Sequence, residues 1–399
     1  MKLKTETLHA IYIGGMCAFA YLAVYIMRNI LSAVSPQMLE QNILTEGSLG
    51  TLSSVFFIVY AIGQLINGFI GDRIKAHYMV CGGLIFAAVA GVFFALFAEH
   101  VATASLTYGL AGFFLSMVFG PMTKIVAENV SLLYVERCSA CHAFTSLFGS
   151  PVAGLVAMVL PWRASLYVTA FVLLAVGIIC FICFSLFEKR GIIAYNRYTA
   201  EKETGGGMRV LFRHQIVKFT LVSVLTGIVR TAVVFWLPTY LAQYLGLSAS
   251  ASALLFTVTT LLISASSFIT VIVFERLGRN RDLTLLLSFA AATACFLLLY
   301  FVKQPVVNIA LITLAILFAN CAASVLWTIY CPGLRETGMV SGATGFLDFM
   351  SYGAAAIATK LFANAVSSIG WGGLIAVWFV LMLIGTGISL PFKKKEKAV

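Results

Sequence analysis

Leu22-Ala23-Val24-Tyr25-Ile26-Met27-Arg28-Asn29-Ile30-Leu31-Ser32-Ala33-Val34-Ser35-Pro36 sets one arginine in a mostly apolar run, and Gly227-Ile228-Val229-Arg230-Thr231-Ala232-Val233-Val234-Phe235-Trp236-Leu237-Pro238 does so again 202 positions later. In both, seven residues separate the arginine from a proline. An arginine at the centre of a membrane helix costs about 2.5–3.5 kcal/mol on insertion scales, and such residues mark solute pathways or buried ion pairs. The surroundings make the membrane setting plain. Of 399 residues, 61% are hydrophobic and 10% charged, and the mean hydropathy is +1.00. Soluble domains carry about 25% charged residues, so a soluble enzyme is excluded, and no stretch is long and polar enough for a catalytic domain.

Apolar runs between charge clusters predict twelve transmembrane helices near 9–38, 49–71, 78–98, 103–128, 138–160, 164–187, 216–240, 252–274, 283–302, 306–329, 341–365 and 372–391. Each meets the requirement of about 20 apolar residues for a hydrocarbon core of about 30 Å. The first run exceeds that and is expected to tilt or to extend past the surface. Met1 to His9 is short and polar and precedes no cleavage-site pattern, so the first run reads as a retained helix.

The net charge of +11 does not describe a nucleic-acid-binding face. Of the 26 Lys and Arg residues, Arg28, Lys124, Arg230 and Lys360 lie within apolar runs, and Arg163 and Lys303 fall in loops on one side. The rest fall on the other side, among them Arg73, Lys75, Arg137, Arg276, Arg335 and Lys393-Lys394-Lys395. The positive-inside rule makes that side cytoplasmic. Both termini are therefore expected inside the cell membrane. The longest hydrophilic stretch, 188–215, contains Gly205-Gly206-Gly207 and divides the chain into six-helix halves, 1–187 and 216–399.

The halves carry matching marks. Asp72-Arg73 follows the second span and Glu275-Arg276 the eighth, at an offset of 203; Arg137 opens the fifth span and Arg335 precedes the eleventh, at an offset of 198. With the repeated arginines this predicts an all-α membrane protein of two pseudo-symmetric six-helix bundles. In that transporter layout solute binds near the midplane at the repeat interface.

Gly68-Phe69-Ile70-Gly71-Asp72-Arg73-Ile74-Lys75 resembles the loop motif between the second and third helices of the major facilitator superfamily. Within it, the stretches around Arg28 and Arg230, Trp162-Arg163-Ala164-Ser165-Leu166-Tyr167 and Ser341-Gly342-Ala343-Thr344-Gly345-Phe346 are similar to organophosphate:phosphate antiporters, the glycerol-3-phosphate and hexose-phosphate carriers. The resemblance implies alternating access and a substrate phosphate held by Arg28 and Arg230. It also exposes departures: Phe148 stands where the glycerol-3-phosphate carrier has histidine, Gln64 where it has lysine, and Asp348 where it has glycine. An anion of lower charge, or one met by neutral hydrogen bonds, then fits better than glycerol 3-phosphate itself.

Candidate substrate-binding residues follow from helical spacing. Tyr25 lies one turn before Arg28, Tyr60 one turn before Gln64, Asn67 one turn after Gln64, and Asp348 one turn before Tyr352. Each of the neutral ones serves either a solute or helix contacts. Asp348 is the candidate for proton coupling, or else the partner of a buried cation. Asp72, Arg73, Arg137, Glu275, Arg276 and Arg335, at cytoplasmic helix ends, form a candidate gate or simply anchor the topology. Lys124 and Glu128 are spaced for a local ion pair, and Lys360 for snorkelling to the outer interface. Cys138-Ser139-Ala140-Cys141-His142 matches the haem attachment pattern but falls on the cytoplasmic side, where that attachment is not made. Cys180 and Cys183 lack polar company for a metal, and Asn129-Val130-Ser131 lies on the wrong side for glycosylation. No cofactor is expected, and without a phosphate-binding glycine loop no ATP coupling either. The expected partners are the bilayer, a small anionic solute, and counter-transported phosphate or a co-transported proton. The chain reads as a monomer. The rival readings are a proton- or cation-coupled organic-acid symporter and a transporter-like sensor.

Overall fold

The computed structural model describes residues 2–195, 211–247 and 249–390. All regular secondary structure among the described residues is helical, with no strand. The first six helices are α1 (Lys2–Glu40), α2 (Glu46–Gly71), α3 (Ala76–Phe97), α4 (Val101–Asn129), α5 (Val135–Val159) and α6 (Trp162–Lys189). The predicted seventh span comprises α7 (Ile216–Gly227), a π-helical turn (Ile228–Val233) and α8 (Val234–Gln243). The eighth comprises α9 (Ala249–Ser264) and α10 (Ser266–Arg276), and the ninth is α11 (Arg281–Phe301). The tenth begins as α12 (Pro305–Ser324) and passes through a second π turn (Val325–Tyr330) to a 3-10 turn (Leu334–Thr337). The last two share α13 (Val340–Ser389), which breaks at Gly370, where φ is 67°.

Among the described residues, eleven helical stretches, some of them two of these elements run together, are long and apolar enough to cross a membrane. The predicted 341–365 span is the part of α13 ahead of Gly370. At 39 residues α1 is about 58 Å long at 1.5 Å per residue, so it runs past the bilayer. Helix starts follow the local sequence. Thr45 caps α2 and Asn280 caps α11 through side-chain oxygens, and Gln304 caps α12 just ahead of Pro305.

By contacts the chain forms two units, Met1–Ile216 with Trp327–Phe349, and Val217–Leu326 with Met350–Val399. In the first, α1 packs on α5 and α6, α4 on α2 and α3, and α3 on α6. The segment 327–349, part of the second half in sequence, packs there as well. A Cβ on Gly345 would strike the carbonyl oxygen of Gln64, and Gly68 Cα would lie 2.9 Å from it. Only glycines allow this approach of α13 to α2. In the second unit α11 packs on α12, and α12 on α10 and α9.

The repeat extends to tertiary contacts. Trp162 Nε1 donates to Gln41 Oε1 at 2.9 Å in the first unit, and Trp371 Nε1 donates to Gln243 Oε1 at 3.3 Å in the second. Gln41 and Gln243 stand 202 positions apart, the offset of the two arginines.

Candidate functional site

Arg28 lies in the middle of α1, half-buried. Its guanidinium carbon is 5.2 Å from the ring centre of Tyr25 and 5.1 Å from those of Phe57 and Tyr60 on α2. The rings are braced in turn. Phe56 stacks on Tyr60 at 6.0 Å and on Tyr108 at 4.5 Å, and Tyr108 Oη donates to the Arg28 carbonyl at 3.2 Å. Gly149 lets α5 close onto the Tyr25 main chain, whose carbonyl carbon would be 2.7 Å from an added Cβ. Each aromatic contact contributes about 0.5–1 kcal/mol, or about 2 when desolvated. A ring face consumes no N–H, so the rings place the cation without neutralising it. Phe57 was not anticipated from the sequence, although its place one turn before Tyr60 was a usable signal.

Arg230 sits half-buried inside the π turn Ile228–Val233, flanked by the buried Val229 and Ala232. Such turns are rare and concentrate at functional sites. Gly227, just before it, abuts Ser351 of α13, whose carbonyl oxygen would lie 2.7 Å from an added Cβ. Asp348 is buried at 4% exposure, and Tyr352, one turn on, is half-buried. Gln64 is 1% exposed, and both its amide atoms lack a hydrogen-bond partner among the described residues. Asn67, by contrast, donates to Ser116 Oγ at 2.8 Å and the Phe113 carbonyl at 3.3 Å, so it joins α2 to α4.

At the cytoplasmic end of α2, the Asp72 carboxylate accepts the backbone N–H groups of Ser341 (2.9 Å) and Gly342 (2.7 Å) in the first turn of α13. Those donors have no partner within their own helix. Lys124 Nζ donates to the Asp72 carbonyl at 3.0 Å and lies 4.0 Å from Glu128 Oε1, both side chains buried. The local pair is thus formed and also reaches α2. Burial pushes the Asp72 carboxyl up to about 7, against the opposing pull of Lys124 and of the Gly342 and Ser341 N–H groups; Glu128 pushes it up as well. Arg73, Arg137 and Arg276 are exposed, and Glu275 and Arg335 half-buried. Cys138 Sγ and His142 Nε2 meet the α1 carbonyls of Ala10 and Gly14 at 3.5 and 3.3 Å, a packing role. The side chain of Lys360 and residues 393–395 lie outside the described residues. Among the described residues no group of His, Cys, Asp or Glu is placed to hold a metal ion.

A multi-pass helical membrane fold with a duplicated pattern of contacts and a mid-helix arginine in each half is the layout of a solute carrier. Residues 17–359 match the Major Facilitator Superfamily, and the chain belongs to it. It is similar to the membrane sensor protein UhpC of Salmonella typhimurium, 26% identical over 57% of this chain; the match spans 55%, about half, of that relative. It is similar to the glycerol-3-phosphate transporter of Bacillus subtilis at 21% identity, over 97% of this chain and 93% of the relative. A solved structure described as the superfamily transporter FucP in the outward conformation superimposes with a TM-score of 0.73, at 15% identity, over 96% of this chain and all of the other; at that identity it shows the fold alone. The protein is a multi-pass membrane protein of a transporter family, with organophosphate transporters among its relatives, and not an enzyme.

Proposed function

We propose that the protein is a secondary active transporter of a small organic anion, an organophosphate, working by alternating access and antiport, with Arg28 and Arg230 as its anion ligands. The observation that carries this is Arg28, a fixed cation half-buried on three rings within a membrane helix. Its counterpart Arg230 at the repeat offset supports it. A guanidinium stays protonated and presents a planar fork that matches phosphate. Antiport is the mode that the resemblance to organophosphate:phosphate antiporters implies, with phosphate as the counter-anion. Asp72, Arg73, Arg137, Glu275, Arg276 and Arg335 form the cytoplasmic gate, with the bond from Asp72 to the start of α13 as one of its closures. The distribution of Lys and Arg supports both termini on the cytoplasmic side of the cell membrane, and the functional unit is the monomer, built of the halves 1–187 and 216–399 joined by 188–215.

The test is counterflow of phosphate and glycerol 3-phosphate in reconstituted vesicles. Arg28→Ala and Arg230→Ala each abolish exchange while leaving membrane insertion intact; normal exchange by both variants ends this reading. A second reading, proton-coupled symport of an organic acid, rests on the buried Asp348. It requires uptake to collapse with a proton ionophore, whereas exchange survives one. The similarity to UhpC supports a third, sensing, which requires binding without flux.

A further inference from the structure

Phe57, Tyr60 and Gln64 stand at i, i+3 and i+7 and share one face of α2. Arg28 rests on the first two rings, and Gln64 follows one turn later, about 6 Å along the axis. It is almost wholly buried, yet neither Nε2 nor Oε1 has a hydrogen-bond partner among the described residues. Asn67 shows the contrast: one turn further on, its amide is engaged by α4. The main chain at Gln64 is held in place as well, because its carbonyl oxygen faces the glycine gap at Gly345. A leucine or methionine would fill the same volume without burying an unmet amide. The amide is therefore a feature that some further group completes, and it brings no charge.

We propose that Gln64 is the hydroxyl-reading residue of the anion site. The charged end of the solute lies on Arg28, and a hydroxyl a few bonds away donates to Oε1 and accepts from Nε2. This rests on the reading of Arg28 as an anion ligand. It narrows the solute to small organic anions that carry a hydroxyl near the charged group, and makes Gln64 the residue that rejects their deoxy analogues.

The test uses purified full-length protein titrated with two matched pairs, glycerol 3-phosphate against propyl phosphate and glycerate against propionate. In the unsubstituted protein the hydroxylated member of at least one pair binds at least about tenfold more tightly, the cost of an unmet buried hydrogen-bonding group. In Gln64→Met that ratio falls below about threefold. Gln64→Leu also removes the amide without adding charge and lowers the ratio too, so it serves if the methionine variant does not fold. Ratios below about threefold for both pairs in the unsubstituted protein, with binding still lost in Arg28→Ala, overturn the inference and leave the anion-transport reading standing. An unchanged ratio in Gln64→Met also overturns it and assigns the amide to packing. Absence of binding by all four probes, or binding that survives Arg28→Ala, sinks the anion site itself and this inference with it.

Discussion

Arg28 and Asp72 show how a single charge is set to different uses by what surrounds it. Three rings hold the arginine, so its placement depends on aromatic faces. Phe57→Leu, which stays apolar but removes a face, is expected to weaken anion binding several-fold, the worth of about 1 kcal/mol; titration calorimetry reads this. Asp72 is a carboxylate made costly by burial. Its value in the folded protein is raised from 3.8 to about 7, so the folded chain keeps a proton that the unfolded chain has released. The stability it lends is present below about pH 4 and is lost as pH rises through about 7. Asp72→Asn is expected to flatten the fall in melting temperature between those limits; an equal slope in both proteins would refute the assignment. Arg28, Arg230, Tyr25, Tyr60 and Gln64 were all legible as residues, because polar groups stand out in apolar runs. Asp72 was legible as a candidate gate residue, but its partners were not. The N–H groups it accepts are 269 and 270 positions away in the chain, and no local pattern encodes such a meeting.

At the scale of elements, hydropathy located the spans but not their internal geometry. The π turns at Ile228–Val233 and Val325–Tyr330 leave no mark in composition, since an apolar run reads the same with or without an extra residue per turn. The close packing of α2 against the start of α13 is equally silent in the sequence, because folding alone brings Gly68 to Gly345. It makes a sharp prediction. Gly345→Ala drives a methyl into the Gln64 carbonyl oxygen and is expected to destabilise by about 1–3 kcal/mol. Gly353→Ala, further along the same helix with nothing within 4 Å of an added Cβ, is expected to cost nothing and to stabilise by up to about 1 kcal/mol. Thermal unfolding in detergent separates the two. The indole–amide bonds at Trp162 and Trp371 make a matched pair: Trp162→Phe and Trp371→Phe should each cost about 0.5–1.5 kcal/mol. Here the sequence did hold a clue, for Gln41 and Gln243 keep the arginines' offset.

For the whole molecule, the sequence repeat and the contact units divide the chain differently. The repeat breaks at 188–215, whereas the first unit also takes in Trp327–Phe349. A fragment ending at 187 would lack the residues that meet Gly68, Gly71 and Asp72, and is expected to insert but to be cleaved by protease faster than the full chain; equal resistance would show that this segment adds nothing. The six-plus-six layout was readable because duplication preserves offsets. The grouping of 327–349 with the first unit was not, because it arises from tertiary contact alone. The wide turn around Arg230 carries a last implication. Residues wound at the wider pitch turn the faces beyond them by about 100° for each surplus residue, relative to an unbroken helix of the same sequence. Which face of α8 meets its neighbours therefore does not follow from carrying the periodicity of α7 straight through the arginine.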